Sequence, residues 1–455
     1  MARNKSPGSD GLPKELFEAH WDLLGESFMV MAKSFESSAS LPAELKEVVT
    51  ILLHKKGDKE QLNNYRPITL LNFTYKVLAR VVADRMKSVL HMVISPEQYG
   101  FIPGRRLSDA VALVADIIEG AKNRKEDWYL LLVDFQKAFD SVSREFLFSV
   151  LEKMGFPERL VGWIKGLHKG TTTKLLINGW LGDGVDVVSG VRQGSPLAPY
   201  LFLCAVESLA QEVERRGLGL EKEWHRLGYL GYTDDTTLVL QGREQIGQAE
   251  ELLDRFEKAS DLAANKSKSV VLPLGDNIGA TDGGAGGFKR AGVDEAERLL
   301  GVWVTPSGNG LPTWEKTWSR VSEKLTKWQL KYLTITARAT VVNYYIMPIL
   351  AFQAQIYPPP AAIWLEIMRL LHSFTFGNRV ATAKGFILWR RELLYTPRLD
   401  GGIGVRDPEI FITCLASRRV GLFITEQNPL KKDLMERAAQ LPLGEDSFTA
   451  HEKTV

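Results

Sequence analysis

Apolar residues in this chain recur at two spacings, and the alternation between them sets out its elements. Largely apolar runs bounded by turn residues at Glu47–Leu53, Trp128–Val133, Leu227–Tyr232, Thr236–Leu240 and Leu299–Val304 predict strands. Helical spacing appears over Tyr75–Leu90, where Val77, Leu78, Val81, Val82, Met86, Val89 and Leu90 share a face. It returns after Ser108-Asp109 through Val111, Val114, Ile117 and Ile118, and again from Phe146 to Met154, closed by Gly155. Lys174–Asn178 and Val185–Val188, joined by Gly- and Asp-rich turns, predict a hairpin. Ser195-Pro196 supplies an N-cap and a first-turn proline to a helix bearing Leu201, Phe202, Ala205, Leu209 and Val213, whose free N–H groups suit an anion. Glu244–Leu262 predicts a further helix with Ile246, Ala249, Leu253, Phe256 and Ala259 as its stripe. Gly275–Gly287 is a Gly-rich loop without the strand and helix that flank a phosphate cradle. From Trp314 the pattern is strongly helical, and the stretch beyond Leu430 is charged and expected to fray.

A length of 455 residues with 45% apolar content supports two to four subdomains with sizeable cores. The net charge of +2 gives little support for a polyanion partner, but basic groups gather at His54-Lys55-Lys56, Arg105-Arg106, Lys266–Lys268, Lys289-Arg290 and Arg390-Arg391 among aromatic residues. Only Cys204 and Cys414 occur, so neither a disulfide framework nor a zinc site is suggested. The N-terminus lacks the pattern of a signal peptide, and Val341–Leu365 is interrupted by Asn343, Pro348 and Pro358-Pro359-Pro360. An intracellular protein, cytoplasmic or nuclear and free of membrane, is expected; oligomeric state is not legible.

The candidate chemistry lies in three carboxylates. Asp234-Asp235 falls between two strand runs, and Asp134 ends another, so alternation can bring one of the pair to Asp134 on an adjacent strand. Such a cluster suits Mg²⁺, or Mn²⁺, which takes oxygen ligands. On turn chemistry alone an Asp-Asp at a hairpin tip is more often a solvated turn.

Six segments alter that balance by their order. They are Lys55-Lys56-Gly57-Asp58, Asn64–Asn72, Gln98–Arg105, Asp134-Phe135-Gln136-Lys137-Ala138-Phe139-Asp140, Gly190–Leu197 and Tyr232-Thr233-Asp234-Asp235. Together they resemble the reverse transcriptase domain of non-LTR (LINE-type) retrotransposons. Trp389 and Gly401–Gly404 are similar to the segment that follows the polymerase in such elements. The resemblance implies an α+β right-hand polymerase, with fingers at 1–125, a palm at 126–304, a helical thumb at 305–375 and a C-terminal segment at 376–455 whose end is disordered. It implies RNA-directed DNA synthesis by two-metal phosphoryl transfer, with an RNA template, a DNA primer and dNTPs as partners.

The resemblance also distributes roles. Asp134 and Asp234 are the principal metal ligands, with Asp235 beside them; Phe139 is the aromatic gate against a 2′-OH, and Phe135 of the same segment is a further nucleotide-binding residue. Lys56 and Arg66 contact the triphosphate, Gln193 touches the incoming nucleotide, and Lys268 protonates the departing pyrophosphate, a place neighbouring Lys266 could also take. Thr233 stands where the family more often has Ala, His54 where Pro is usual, and Asp261–Asn265 lacks a common Ser-Gly. The upstream endonuclease, zinc knuckle and ribonuclease H motif expected of an element are not legible, which suggests a fragment or a truncated element. A decayed product that binds nucleic acid without polymerising is the alternative, and a group II intron maturase or domesticated polymerase shares the chemistry.

Overall fold

The computed structural model describes residues 3–55, 57–124, 126–222, 225–275, 287–329, 331–377 and 391–439. Lys56, most of the Gly275–Gly287 loop, Trp389 and the chain beyond 439 lie outside the described residues. The fold is α+β, mixing helices with two principal sheets.

The strands of these sheets, in chain order, are β1 (Glu47–His54), β2 (Tyr65–Leu70), β3 (Trp128–Val133), β4 (Thr172–Ile177), β5 (Trp180–Asp186), β6 (Tyr229–Tyr232), β7 (Asp235–Gln241), β8 (Val270–Leu274) and β9 (Lys289–Arg290). One sheet runs β2-β1-β4-β5, with β1 and β4 parallel and the other pairs antiparallel. The other runs β9-β8-β3-β7-β6, antiparallel except for the short β8–β9 edge. The β4–β5 hairpin is closed by Asn178-Gly179, both at positive φ, so its second strand starts at Trp180, earlier than the apolar pattern suggested. Pairing of β4 with β1 carries this hairpin back to the sheet of the N-terminal segment, across more than a hundred residues of chain.

The principal helices are α1 (Trp21–Ser38), α2 (Phe73–Lys87), α3 (Leu107–Arg124), α4 (Arg144–Lys153), α5 (Glu158–His168), α6 (Ala198–Arg215), α7 (Glu244–Ser260), α8 (Gly310–Gln329) and α9 (Ala361–Phe376). Strand β3 is the wall between two cores, which explains its uninterrupted apolar sequence. Tyr129, Leu131 and Val133 join the core of α2, α6 and α7, whereas Trp128 and Leu130 join the core of α3, α8 and α9. Trp314 is fully buried in the second of these and donates its Nε1–H to the Tyr357 carbonyl at 3.1 Å. Ile335–Gln353 is long and apolar enough to cross a membrane by length and composition alone. Its Val342, Ile346, Met347 and Leu350 are buried in the same core.

Two boundaries differ from the sequence pattern. Helix α6 begins at Ala198 with Ser195 three residues ahead, its Oγ accepting from the Leu197 N–H at 3.3 Å. The strand expected over Leu299–Val304 is a hairpin of Glu297–Leu299 and Val302–Val304, because Leu300 and Gly301 both take positive φ and reverse the chain.

Candidate active site

The registers of the central sheet place the acidic residues. Val133 on β3 pairs with Thr236 on β7, so continuing the ladder by one step sets Asp134 across from Asp235, side chains on one face. Tyr232 pairs with Asp235, leaving Thr233-Asp234 as the two-residue turn. Thr233 sits at φ 63°, a left-handed conformation that a β-branched residue adopts only when its surroundings impose it. All three Asp residues are exposed at the strand ends.

The backbone of Asp134 is held on both sides. Its N–H donates to Ser269 Oγ at 3.1 Å and its carbonyl accepts from the Asn265 N–H at 2.7 Å. The turn before Asn265, which lacks Ser-Gly, is made by Asp261 itself at φ 61°, its N–H donating to the Glu257 carbonyl at 2.8 Å.

Asp134, Asp235 and Lys268 line a cleft of about 160 Å³ with Glu297, Arg298 and residues of β3 and β7. The Asp235 carboxylate opens to solvent at its mouth, but partial desolvation by the surrounding protein, then the charges of Asp234 and Asp134, push it up to about 6, against the pull of Arg298. Among the described residues no three His, Cys, Asp or Glu side chains close into a metal cage. The arrangement is an open, all-oxygen, mutually repelling set. It fits Mg²⁺, which takes one or two protein carboxylates and leaves other positions to phosphates and water. Lys266 points elsewhere, paired with Glu250 at 2.9 Å and Asp254 at 3.1 Å, so Lys268 is the lysine that shares the cleft.

A second cluster forms at the other end of the Asp134–Asp140 segment. Gln193 Nε2 donates to Asp140 Oδ2 at 2.7 Å. Burial raises the Asp140 carboxyl, opposed by Gln193 and by the charges of Lys137, Arg66 and Lys55. Gly194, at φ 101°, lets the Gln193 loop approach β2, since a Cβ there would lie 2.9 Å from the Thr69 carbonyl oxygen. Arg144 supports the same loop by donating to the carbonyls of Val187 (2.5 Å), Gly190 (3.1 Å) and His168 (3.1 Å).

The two aromatic residues of the segment are placed differently. Phe139 is partly buried and stacks on Phe202 of α6 with ring centroids 4.6 Å apart. Phe135 is turned into the core, 7% exposed, with its ring 6.2 Å from Phe256, so it does not present its side chain to the cleft. The reason is alternation: Asp134 faces out and its neighbour must face in. His54 extends the basic turn by an Nε2 contact to the Gly57 carbonyl at 3.1 Å. Sequence reasoning did not single out Asp140 as Gln193's partner, Arg144 as the brace of the loop, or Arg298 in the cleft. Asp140 was visible in the motif, whereas Arg298 arrives on the hairpin that the apolar pattern read as one strand.

Residues 53–336, more than half of the chain, match the family described as Reverse transcriptase (RNA-dependent DNA polymerase). The chain is 32% identical over 415 residues to the transposon TX1 uncharacterized 149 kDa protein of Xenopus laevis, covering 89% of this chain and 31% of that protein. It is 24% identical to a retrovirus-related Pol polyprotein from type-1 retrotransposable element R2 of Popillia japonica, over 59% of this chain and 37% of that protein. It thus spans about a third of the length of these relatives. Among solved structures, apo telomerase from Candida tropicalis aligns with 92% of this chain and 74% of its own at a TM-score of 0.42 and 9% identity. With the match running through the segment that carries all three carboxylates, the chain belongs to the reverse transcriptase (RNA-dependent DNA polymerase) family, and the relatives it resembles are proteins of a transposon and of a retrotransposable element.

Proposed function

We propose that this chain extends a DNA primer by copying an RNA template, joining dNTPs and releasing pyrophosphate. The observation that carries the reading is the convergence of Asp134, Asp234 and Asp235 at the ends of β3, β6 and β7, within the span that matches the family.

Asp134 and Asp234 would hold Mg²⁺, or Mn²⁺, with Asp235 beside them, and the ion would supply charge stabilisation for attack of the primer 3′-OH on the triphosphate. The chain's own residues orient and discriminate. Arg66, with Lys55 and Lys137 whose charges also act on Asp140, offers fork and point-charge donors for phosphate oxygens. Gln193, anchored by Asp140, holds its loop at the nucleotide, and Phe139, backed by Phe202, presents a ring to the sugar. Lys268, in the cleft with Asp134 and Asp235, is positioned to give a proton to the leaving pyrophosphate. Lys56 is assigned to the triphosphate by resemblance alone. Template and primer are bound through phosphates, so affinity falls steeply with salt.

The test is extension of oligo(dT) on poly(rA) with dTTP and Mg²⁺. Extension by the wild type that Asp234→Asn abolishes is expected. Tight primer–template binding without extension refutes the enzyme reading in favour of a nucleic-acid-binding product, and extension by Asp234→Asn refutes the site.

A further inference from the structure

The segment Gln98-Tyr99-Gly100-Phe101 marks the family resemblance but has so far no part in the chemistry. It lies as an extra parallel edge against β6: the Tyr99 N–H donates to the Gly231 carbonyl at 2.7 Å, and the Gly231 N–H donates to the Glu97 carbonyl at 3.0 Å. Gln98 itself is 1% exposed and turns under the acidic hairpin. Its Oε1 accepts from the Thr233 N–H and the Gly100 N–H, each at 3.0 Å, and its Nε2 donates to Tyr229 Oη at 3.0 Å.

Two glycines leave the room this requires. A Cβ on Gly100 would sit 2.5 Å from Thr233 Oγ1 and 2.6 Å from the Thr233 nitrogen, and one on Gly231 would sit 2.5 Å from Gln98 Nε2. The segment is also fastened from behind. Arg105 donates to the carbonyls of Ser95 (2.5 Å), Gln98 (2.7 Å) and Ile94 (3.2 Å), and Glu207 on α6 accepts from the Ser95 N–H at 2.9 Å and Ser95 Oγ at 2.7 Å.

We infer that Gln98 is a positioning residue for the acidic hairpin: its amide oxygen holds the Thr233 backbone in the left-handed turn and thereby aims Asp234 and Asp235. The physical case rests on the neighbouring peptide. Thr233 is 5% exposed and at φ 63°, so its N–H must find a protein acceptor in a conformation its branched side chain disfavours. Gln98 Oε1 is that acceptor. Asp234 is the next residue, so releasing the Thr233 peptide rotates the carboxylate directly. A side chain that accepts twice at one end and donates at the other must be an amide or its close analogue.

The inference rests on the proposed function for its catalytic readout, and a second readout keeps the two apart. Gln98→Met preserves length and apolar volume but removes the acceptor; Gln98→Glu, its carboxyl kept neutral by burial, keeps an oxygen for both N–H groups and an O–H for Tyr229 Oη. In primer extension, Gln98→Met is expected to lower kcat about 10- to 100-fold, with KM for dTTP and primer–template Kd held within about twofold. In titrations of Tb³⁺ luminescence, sensitised by Tyr232 and abolished by Asp234→Asn, the same variant is expected to bind about 10-fold more weakly or worse. Gln98→Glu is expected near the wild type in both. Unchanged kcat and Tb³⁺ affinity in Gln98→Met overturn the inference, as does equal loss in Met and Glu variants accompanied by a fall in Tm, which marks plain packing. A wild type that binds Tb³⁺ through Asp234 yet extends no primer refutes the proposed function alone, and the Tb³⁺ affinity of Gln98→Met then decides the positioning role.

Discussion

Replacing Asp235 by Asn should make the metal-free protein more stable, because its carboxylate is partly desolvated and held beside two others that repel it. Its carboxyl rises from 3.8 to about 6 through partial desolvation and then through Asp234 and Asp134. The folded state therefore binds a proton between those two values that the unfolded chain does not, so stability falls as pH climbs from about 4 to about 6, and the whole penalty is present above it. At an exposed position, solvent screening reduces that penalty to about 1 kcal/mol. Urea denaturation without divalent ions, in low salt, at a series of pH values between 4 and 8 measures it. The expected difference between Asp235→Asn and wild type grows from near zero at pH 4 to about 1 kcal/mol in favour of the variant above pH 6. Adding Mg²⁺ should shrink the gap, since an ion bound only to the folded wild type stabilises it by mass action. A variant less stable than the wild type above pH 6, or a difference that does not change with pH, refutes the reasoning.

Other perturbations follow from the same contacts. Lys268→Ala should slow primer extension about 100-fold or more if it supplies the proton, whereas Lys266→Ala, already paired with Glu250 and Asp254, should change it little; single-turnover rates separate the two. Arg144→Ala strips donors from three carbonyls and should cost about 2–4 kcal/mol in urea denaturation while raising KM for dNTP through the loosened Gln193 loop. Trp314→Ala empties a fully buried site in the core of α3, α8 and α9 and should cost about 3–5 kcal/mol by the same measurement, with the rate per folded molecule unaltered.

Much of the site was legible because local rules govern its parts. The apolar run of β3, the paired strands around Asp234-Asp235, and the stripes of α2, α3, α4 and α7 follow from periods of two and 3.6, which any burying element must obey. Residue types likewise announced oxygen chemistry and the family. What only the tertiary structure decided are relations between distant segments. The β1–β4 pairing joins Glu47 to Thr172, and the register of β3 on β7 sets Asp134 opposite Asp235. Folding also turns Phe135 inward onto Phe256, commits Lys266 to α7, and brings Gln98 beneath Thr233. A sequence pattern states which face a residue prefers to bury, but the partner waiting on that face is chosen by packing and by the need of every buried N–H for an acceptor. Hence the acidic hairpin was readable from its letters, and the amide that holds it 135 residues away was not.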